Sequence, residues 1–148
     1  KRHYLYKILN RTPPLTLEKN RYWHVSHKLD LKKMKEGASF LIGKHDFTTF
    51  RSTLCQAKSP IKSIDKIEII NTPYSIGSSI QIKFTARSYL HNQIRSIVGT
   101  LGKVGSNSWE AERVHLALLS KNRAECGPVA PAEGLYLVKI DYKNDVFS

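Results

Sequence analysis

Residues 90–104 contain the side chain in this sequence that is best placed for chemistry. Their apolar side chains recur at helical spacing, and Arg95 lies off that stripe with His91 one turn before it. The segment therefore predicts a helix that presents a guanidinium outside the core. Gly99 and Gly102 continue the same side, although each glycine costs a helix about 1 kcal/mol relative to alanine. A backbone that crosses the helix closely would explain them, as would a cleft floor beneath Arg95; the alternative is an exposed arginine beside glycines that serve packing alone.

Two further pairs of residues could take part in binding or catalysis. Residues 3–10 alternate in the manner of a strand, which puts Tyr4 and Tyr6 on one side. Their rings could stack on nucleobases, each for about 1–3 kcal/mol, or they could be ordinary sheet aromatics. His45 and Asp46 suggest acid–base chemistry, but neighbours in a tight loop more commonly cap backbone groups. On these residues alone both pairs stay open.

The sequence excludes several classes of protein and of site. The three histidines His24, His27 and His115 have no metal-ligand spacing, and no Walker, GxGxxG or GxSxG motif is present. Cys55 and Cys126 lack CxxC spacing, which excludes a zinc cluster of that type and a disulfide scaffold and fits a reducing cytosol. No window approaches the roughly 20 apolar residues of a membrane span. The first twenty residues lack the apolar segment of a signal peptide.

The charge of the chain indicates a polyanionic partner. Its 148 residues include 24 Lys and Arg against 12 Asp and Glu, which gives a net charge of +12. Such an excess is typical of nucleic-acid binding and less typical of binding to an anionic membrane surface. The basic residues are not confined to one helix, which disfavours an amphipathic membrane helix. Three clusters stand out: Lys28, Lys32, Lys33 and Lys35; Lys58, Lys62 and Lys66; and Arg87, Arg95 and Lys103.

The remaining elements must position these side chains. Alternating or isoleucine-rich segments predict strands over residues 3–10, 22–27, 59–70, 80–84 and 135–142. Helices are predicted from an N-cap at Asp30 to about Ile42 with a stop at Gly43, over residues 90–104, and after an N-cap at Ser108 with Glu110 and Glu112 in its first turn. Residues 43–52 predict a loop packed by Phe47 and Phe50, and turns are predicted at residues 12–14, 71–73 and 77–79. The pattern predicts one domain, residues 1–148, of α+β class: a mostly antiparallel sheet with helices packed on one face.

Four stretches together carry a family resemblance. They are KRHYLY (residues 1–6), GKHDFTTFRS (43–52), FTARSYLHNQIRSIVGTLGKVG (84–105) and APAEGLYLVKIDY (130–142). In order and spacing they resemble the TruA-type tRNA pseudouridine synthases, and the resemblance runs across the whole chain. It implies isomerisation of uridine to pseudouridine at positions 38 to 40 of the tRNA anticodon stem-loop, without cofactor or metal.

The resemblance also implies roles for three residues. Tyr4 matches a tyrosine that stacks on the target base and is a candidate for the proton-abstraction step. Arg95 matches an arginine that pairs with the catalytic aspartate and occupies the space of the flipped nucleotide. Leu135 matches an apolar residue that lines the base pocket. Ser96 departs from the asparagine that many members carry, which affects only the hydrogen bonding around Arg95.

The family's nucleophile is an aspartate in an RTDAGVHA-like motif upstream of these segments. None of the aspartates in this chain stands in such a context: Asp30, Asp46, Asp65, Asp141 and Asp145. We therefore expect the chain, which opens on Lys1, to be the C-terminal domain of a longer cytoplasmic and homodimeric enzyme, inactive by itself. The alternative is a non-catalytic basic RNA-binding module that uses Tyr4 and Tyr6 as a stacking platform.

Overall fold

The computed structural model describes residues 1–11, 21–52, 59–73 and 77–141. The predicted turn at residues 12–14 lies outside this part of the chain, as do Cys55, Lys58 and Tyr142. The strands are β1 (Arg2–Asn10), β2 (Trp23–Val25), β3 (Gly43–Asp46), β4 (Ile61–Pro73), β5 (Ser78–Ala86) and β6 (Leu135–Ile140). The α-helices are α1 (Leu31–Ser39), α2 (Gln93–Gly105) and α3 (Glu112–Ser120).

Strand β1, which contains Tyr4, pairs with three other strands of the sheet. The strand order is β2-β1-β5-β4-β3, with β6 paired to the beginning of β1 and β2 to its end. Only the β1–β2 pair is parallel; the other pairs in the described residues are antiparallel. The predicted α+β class and mostly antiparallel sheet are confirmed.

The helices pack on the face of the sheet that the alternation in β1 and β5 marks as apolar. Tyr6 and Ile8 of β1 lie opposite Ile82 and Ile80 of β5, and all four are buried. The apolar stripe of α2 is buried against them, in one core shared with α1 and α3. Burial of such apolar side chains stabilises the fold by about 1.5–3 kcal/mol each. No helix in the described part of the chain is long and apolar enough to cross a membrane.

A bulge in β4 explains why Ile64 and Ile67, three residues apart, lie on the same face of the strand. The register between β4 and β5 shifts between Ile64 and Lys66. Because a bulge inserts one extra residue into a strand, it restores Ile67 and Ile69 to the face that Ile64 occupies. Ile64 and Ile69 are buried and Ile67 packs against the core. The predicted strand is confirmed, and it continues through residues 71–73, where the sequence predicted a turn.

Three boundaries differ from the prediction for local reasons. Helix α1 ends at Ser39 rather than near Ile42, because the next two backbone N–H groups bond back in a tighter turn to Gly37 and Ala38. Helix α2 begins at Gln93 rather than at residue 90, after a left-handed Asn92. Helix α3 begins at Glu112 without a side-chain cap, so Ser108 is not its N-cap.

The predicted loop over residues 43–52 is wrong in its first half. Residues 43–46 form β3, an antiparallel edge strand paired with the beginning of β4. The chain then makes a short 3-10 turn (Thr48–Phe50), and Phe47 and Phe50 are fully buried as predicted. Asp46 Oδ1 accepts hydrogen bonds from the Thr48 backbone N–H at 2.9 Å and from its hydroxyl at 2.6 Å. The capping interpretation of Asp46 is therefore confirmed.

The Asp46 cap makes part of the stability depend on pH. Burial opposes ionisation, but the two hydrogen bonds from Thr48, together with the charges of Lys121 and Arg51, outweigh it and hold the pKa of Asp46 below its usual value of 3.8. A group with a lowered folded-state pKa stabilises the fold above its unfolded pKa, and this contribution is lost as the pH falls through the lowered value.

Replacing Asp46 with alanine should lower the free energy of unfolding by about 1 kcal/mol near neutral pH, because the Thr48 donors lose their acceptor. The gap between wild type and Asp46→Ala should close in strong acid, where the carboxyl is protonated. Urea denaturation of both proteins at neutral and strongly acidic pH measures it. Asp46→Asn, which keeps an oxygen acceptor but cannot ionise, is the control: its loss at neutral pH should be smaller than that of Asp46→Ala, and it too should shrink in strong acid. A gap of the same size at both pH values would contradict the assignment.

Candidate active site

Arg95 lies in the first turn of α2, and its side chain is held by two hydrogen bonds. Its Nε donates to the Ala130 carbonyl oxygen at 2.7 Å, and its Nη1 donates to Asn92 Oδ1 at 3.4 Å. Ala130 returns the contact, because its backbone N–H donates to the Arg95 carbonyl oxygen at 3.0 Å. Asn92 adopts a left-handed backbone with φ of 61°, which asparagine tolerates better than most residues. The guanidinium is thereby fixed before any ligand binds.

The segment that holds Arg95 crosses α2 at very short range. Residues 127–130, which we call the strap, pass over Gly99 so closely that a Cβ there would lie 1.5 Å from the Pro128 carbonyl oxygen. The Gly127 backbone N–H donates to Thr100 Oγ1 at 3.0 Å. The predicted crossing backbone is confirmed at Gly99. Gly102 instead faces the tip of the Trp23 ring, and neither glycine lines the cleft that holds Arg95.

The structure brings Tyr4, Arg95 and Leu135 to one cleft of about 330 Å³. Tyr4 comes from β1, Arg95 from the first turn of α2, and Leu135 is the first residue of β6. Leu135 lies opposite Tyr6 in the register between β1 and β6, two residues along β1 from Tyr4. The three residues that the family resemblance selected therefore converge from separate elements. The other lining residues are Arg2, Tyr89, Leu90, His91, Asn92, Gln93, Ile94 and Ala132.

Tyr4 and Tyr6 have different environments although they share one strand face. The Tyr4 ring is half-buried and packs edge-to-face on the Tyr89 ring, with centroids 5.2 Å apart. Tyr6 is fully buried, its hydroxyl donates to the Pro131 carbonyl oxygen, and burial raises the pKa of its phenol. Only Tyr4 can therefore reach a ligand, and a stacking platform that uses both tyrosines is wrong.

Tyr89 is the residue that fixes the Tyr4 ring, and sequence reasoning missed it. Burial raises the pKa of Tyr89, and the neighbouring Tyr4 and Asp65 act in the same direction, so its phenol stays neutral. An edge-to-face aromatic pair is worth about 0.5–1.5 kcal/mol beyond its buried area. An aromatic residue just before a helix that carries a candidate arginine is the signal that could have found it.

The guanidinium of Arg95 has no counter-ion in the part of the chain that the structure describes. No carboxylate of these residues lies within ion-pair distance of it, and Nη2 makes no hydrogen bond to any of them. A partly buried, preoriented guanidinium suits a carboxylate, a phosphate or the plane of a base. A carboxylate placed beside it would stay ionised, because a neighbouring positive charge lowers a carboxyl pKa.

Several other candidate residues lie away from this cleft. His45 and Asp46 are the last two residues of β3, where His45 Nε2 hydrogen-bonds the Ile42 carbonyl oxygen. Ser96 is buried and its Oγ accepts from Arg123 Nη1 at 2.8 Å, so it does not hydrogen-bond Arg95. Lys103, grouped with Arg95 by sequence, lines a different cleft. Among the described residues, no group of three or more His, Cys, Asp and Glu side chains is arranged to hold a metal ion.

Comparison with known proteins identifies the family. The sequence model for the family described as tRNA pseudouridine synthase matches residues 38–143. The chain belongs to this family. The matched tRNA pseudouridine synthase region includes Arg95 and Leu135, while Tyr4 precedes it.

Several curated relatives carry the name tRNA pseudouridine synthase A. The protein from Parvibaculum lavamentivorans is 52% identical over 143 residues, which cover 97% of this chain and 56% of the relative. Those from Dinoroseobacter shibae and Rhodopseudomonas palustris are 49% and 52% identical, over 99% and 97% of this chain. The chain spans about half the length of these tRNA pseudouridine synthases.

The strap contact makes Gly99 intolerant of a side chain. Gly99→Ala should lower the free energy of unfolding by about 2 kcal/mol or more, because backbone must move to admit the methyl group. This loss should outweigh the gain of about 1 kcal/mol that alanine brings to a helix. Gly102→Ala is the matched control, since there only the tip of the Trp23 ring must shift, and its stability should stay within about 1 kcal/mol of wild type. Thermal and urea unfolding measure both, and a Gly99→Ala protein as stable as wild type would refute the contact.

Proposed function

We propose that this chain is the C-terminal part of a synthase that isomerises uridine to pseudouridine at positions 38 to 40 of the tRNA anticodon stem-loop. The observation that carries the proposal is the convergence of Tyr4, Arg95 and Leu135 on one cleft in which the arginine lacks a counter-ion. Membership of the tRNA pseudouridine synthase family and relatives with that name support the reaction class. The nucleophilic aspartate would come from outside these 148 residues.

The cleft offers a place for a nucleotide that has been turned out of its stack. Turning a base out costs a few kcal/mol of stacking and pairing. The Tyr4 ring, the Arg95 guanidinium plane and the apolar Leu135 side chain can offset that cost by contacts with the base. Because Arg95 and Tyr4 are already fixed by the strap and by Tyr89, little of this contact energy is spent on ordering them.

The chemistry breaks one bond to the base and forms another. The aspartate attacks the C1′ carbon of the target nucleotide as the N-glycosidic bond to N1 breaks. The detached uracil then rotates and rejoins C1′ through its C5 carbon as the aspartate leaves, and N1 gains a proton. The hydrogen on C5 is then removed as a proton, for which the Tyr4 phenol is the candidate acceptor or relay. Arg95 would keep the aspartate ionised, as a nucleophile must be. The sequence of steps is redox-neutral and consumes no cofactor.

The substrate class agrees with the charge of the chain. A net charge of +12 suits a tRNA, whose phosphates attract Lys and Arg residues. We further propose a cytoplasmic enzyme that works as a homodimer. The rival function, a non-catalytic RNA-binding module, is weakened by the buried Tyr6, which leaves one accessible ring of the proposed stacking pair.

Release of tritium from the uracil C5 position of unmodified tRNA tests the reaction directly. A polypeptide that contains this chain and the upstream aspartate domain should release tritium at the target positions. The 148-residue chain alone should release none, because the nucleophile is absent. Turnover by the chain alone would contradict the assignment of the nucleophile to the upstream domain. No turnover by the longer polypeptide would overturn the proposed reaction.

In the longer polypeptide, Arg95→Ala should lower the rate of tritium release by about 10²–10³-fold, the usual cost of removing one preorganised electrostatic group. Filter binding should show that tRNA affinity persists, since many other basic residues remain. Arg113→Ala is the matched control, because Arg113 lies in α3, away from the cleft, and its guanidinium stacks on the Trp109 ring. An Arg95→Ala rate equal to that of Arg113→Ala would exclude Arg95 from the chemistry.

A further inference from the structure

A second cleft, of about 490 Å³, adjoins the strap, and none of the described residues that line it carries a carboxylate. Gly99 and Pro128, whose backbones meet where the strap crosses α2, form part of its wall. Its basic side chains come from two elements: Lys103 from the last turn of α2, and His24 and His27 from β2 and the segment after it. We call this site the lysine cleft.

The Lys103 ammonium has no partner in the part of the chain that the structure describes. Lys103 is partly buried, and no carboxylate of these residues lies within ion-pair distance of its Nζ. Lys33 differs, because its Nζ donates to Asn107 Oδ1 at 2.9 Å and lies 3.5 Å from a Glu110 carboxylate oxygen. The charge of Lys103 is therefore available to an anion that enters the cleft.

Capping of the helix does not account for Lys103. A lysine in the last turn of a helix commonly interacts with the last carbonyl groups, which carry partial negative charge. At the end of α2 these carbonyl oxygens already accept backbone N–H groups: Gly102 from Ser106, Lys103 from Ser108 and Trp109, Val104 from Asn107, and Gly105 from Asp30. The ammonium is not needed to satisfy them, and an anion in the cleft would not face bare carbonyl oxygens.

The segment that carries the two histidines is fixed by hydrogen bonds to the end of β1 and the residue after it. Asn10 Nδ2 donates to the Val25 carbonyl oxygen at 2.9 Å and to the His27 carbonyl oxygen at 2.7 Å. His24 Nε2 donates to the Arg11 carbonyl oxygen at 2.7 Å, since a carbonyl oxygen can only accept. The cleft is thus formed before a ligand binds, which lowers the cost of binding one.

The lysine cleft lies at a distance from Arg95 that one nucleic-acid strand can span. Arg95 and Lys103 are eight residues apart on α2, which corresponds to about 12 Å at 1.5 Å per residue. A stacked strand carries one phosphate for about every 3.4 Å of its axis. A strand with its target nucleotide at Arg95 therefore has phosphates a few nucleotides away that can reach Lys103.

We propose that the lysine cleft binds a backbone phosphate of the tRNA strand that carries the target nucleotide, with Lys103 Nζ as its counter-ion. The proposal rests on the proposed function. An ammonium is a compact point charge that binds phosphate without a fixed fork geometry. Because a phosphate contact carries no base information, it contributes affinity and fixes the position of the strand relative to Arg95.

Methylphosphonate scanning locates the contacted phosphate. The longer polypeptide with the aspartate domain is titrated with anticodon stem-loops, each of which has one backbone phosphate replaced by an uncharged methylphosphonate, and Kd is measured by filter binding. At the contacted phosphate, a few nucleotides from the target, the replacement should raise the wild-type Kd by about 10-fold, the effect of one hydrogen bond to a charged group.

Lys103→Met should raise Kd for the unmodified stem-loop by about 10-fold and should reduce the slope of log K against log salt by about 1. At the contacted phosphate the methylphosphonate should then change the Kd of the variant by less than about 2-fold. At every other phosphate the variant should keep the sensitivity of wild type. Wild-type sensitivity at every phosphate in Lys103→Met would overturn the proposal, because the lysine would then act only through the overall charge.

Two further variants serve as controls. Lys103→Arg, which keeps the charge, should restore the sensitivity at the contacted phosphate. Lys44→Met removes an exposed lysine from β3, at the sheet edge opposite β2, and should leave that sensitivity as in wild type. Partial unfolding lowers the binding fraction equally for all stem-loops, so it cannot abolish sensitivity at one position.

Failure of this proposal can be told from failure of the proposed function. A wild type that releases no tritium from unmodified tRNA overturns the proposed function itself. Tritium release together with no phosphate at which Lys103→Met loses sensitivity overturns only the role of the lysine cleft.

Discussion

The contact between the strap and α2 determines where the charge of this site lies. At Gly99 the two backbones approach at a distance that leaves no room for a side chain. From there the strap reaches Ala130, which donates to the Arg95 backbone and accepts from its guanidinium. The orientation of the arginine thus depends on the path of a segment more than 30 positions away in sequence rather than on the helix alone. Fixing a charged group in this way lowers the cost of ordering it when a ligand binds.

The sheet supplies the other half of the site, and it does so near the open end of β1. Tyr6 is enclosed by the core, while Tyr4, two residues earlier on the same face, keeps one side of its ring accessible. The difference arises because the core thins toward the beginning of the strand, where Leu137, the β6 partner of Tyr4, is itself half exposed. One strand therefore provides both a structural tyrosine and a ligand-facing one.

Strands and helices could be predicted from the sequence where burial of one face alone produces their period-two or helical apolar pattern. The alternation in β5 and the apolar stripe of α2 are of this kind, since each reports one buried face. The polar strand β3 could not be predicted, because it exists through pairing with β4, which lies beyond a separate segment of chain. The bulge at Ile64 likewise depends on its partner strand. Local sequence contains neither constraint.

The candidate site shows the same division. Tyr4, Arg95 and Leu135 could be selected from a resemblance that spans the chain, and the roles assigned to them stay predictions. The buried hydrogen bond that Gln93 Oε1 accepts from the Leu90 N–H could not be predicted, because a glutamine within an apolar helix becomes informative only when its partner is seen. Tyr89 could not be selected either, because its role depends on its contact with the Tyr4 ring.

The strap also limits how this part of the chain can change in length. It is tied to α2 at Gly127 and Ala130, and four residues later Gly134 lies so close to Tyr6 and the Lys7 carbonyl that a Cβ would come within 2.8 Å of both. Leu135 follows at once as the first residue of β6. An insertion or deletion between these anchor points would change the register of β6 on β1 and carry Leu135 out of the cleft. Surface loops commonly absorb such length changes at little cost. This connection cannot, because it is held against α2 at one end and against β1 at the other.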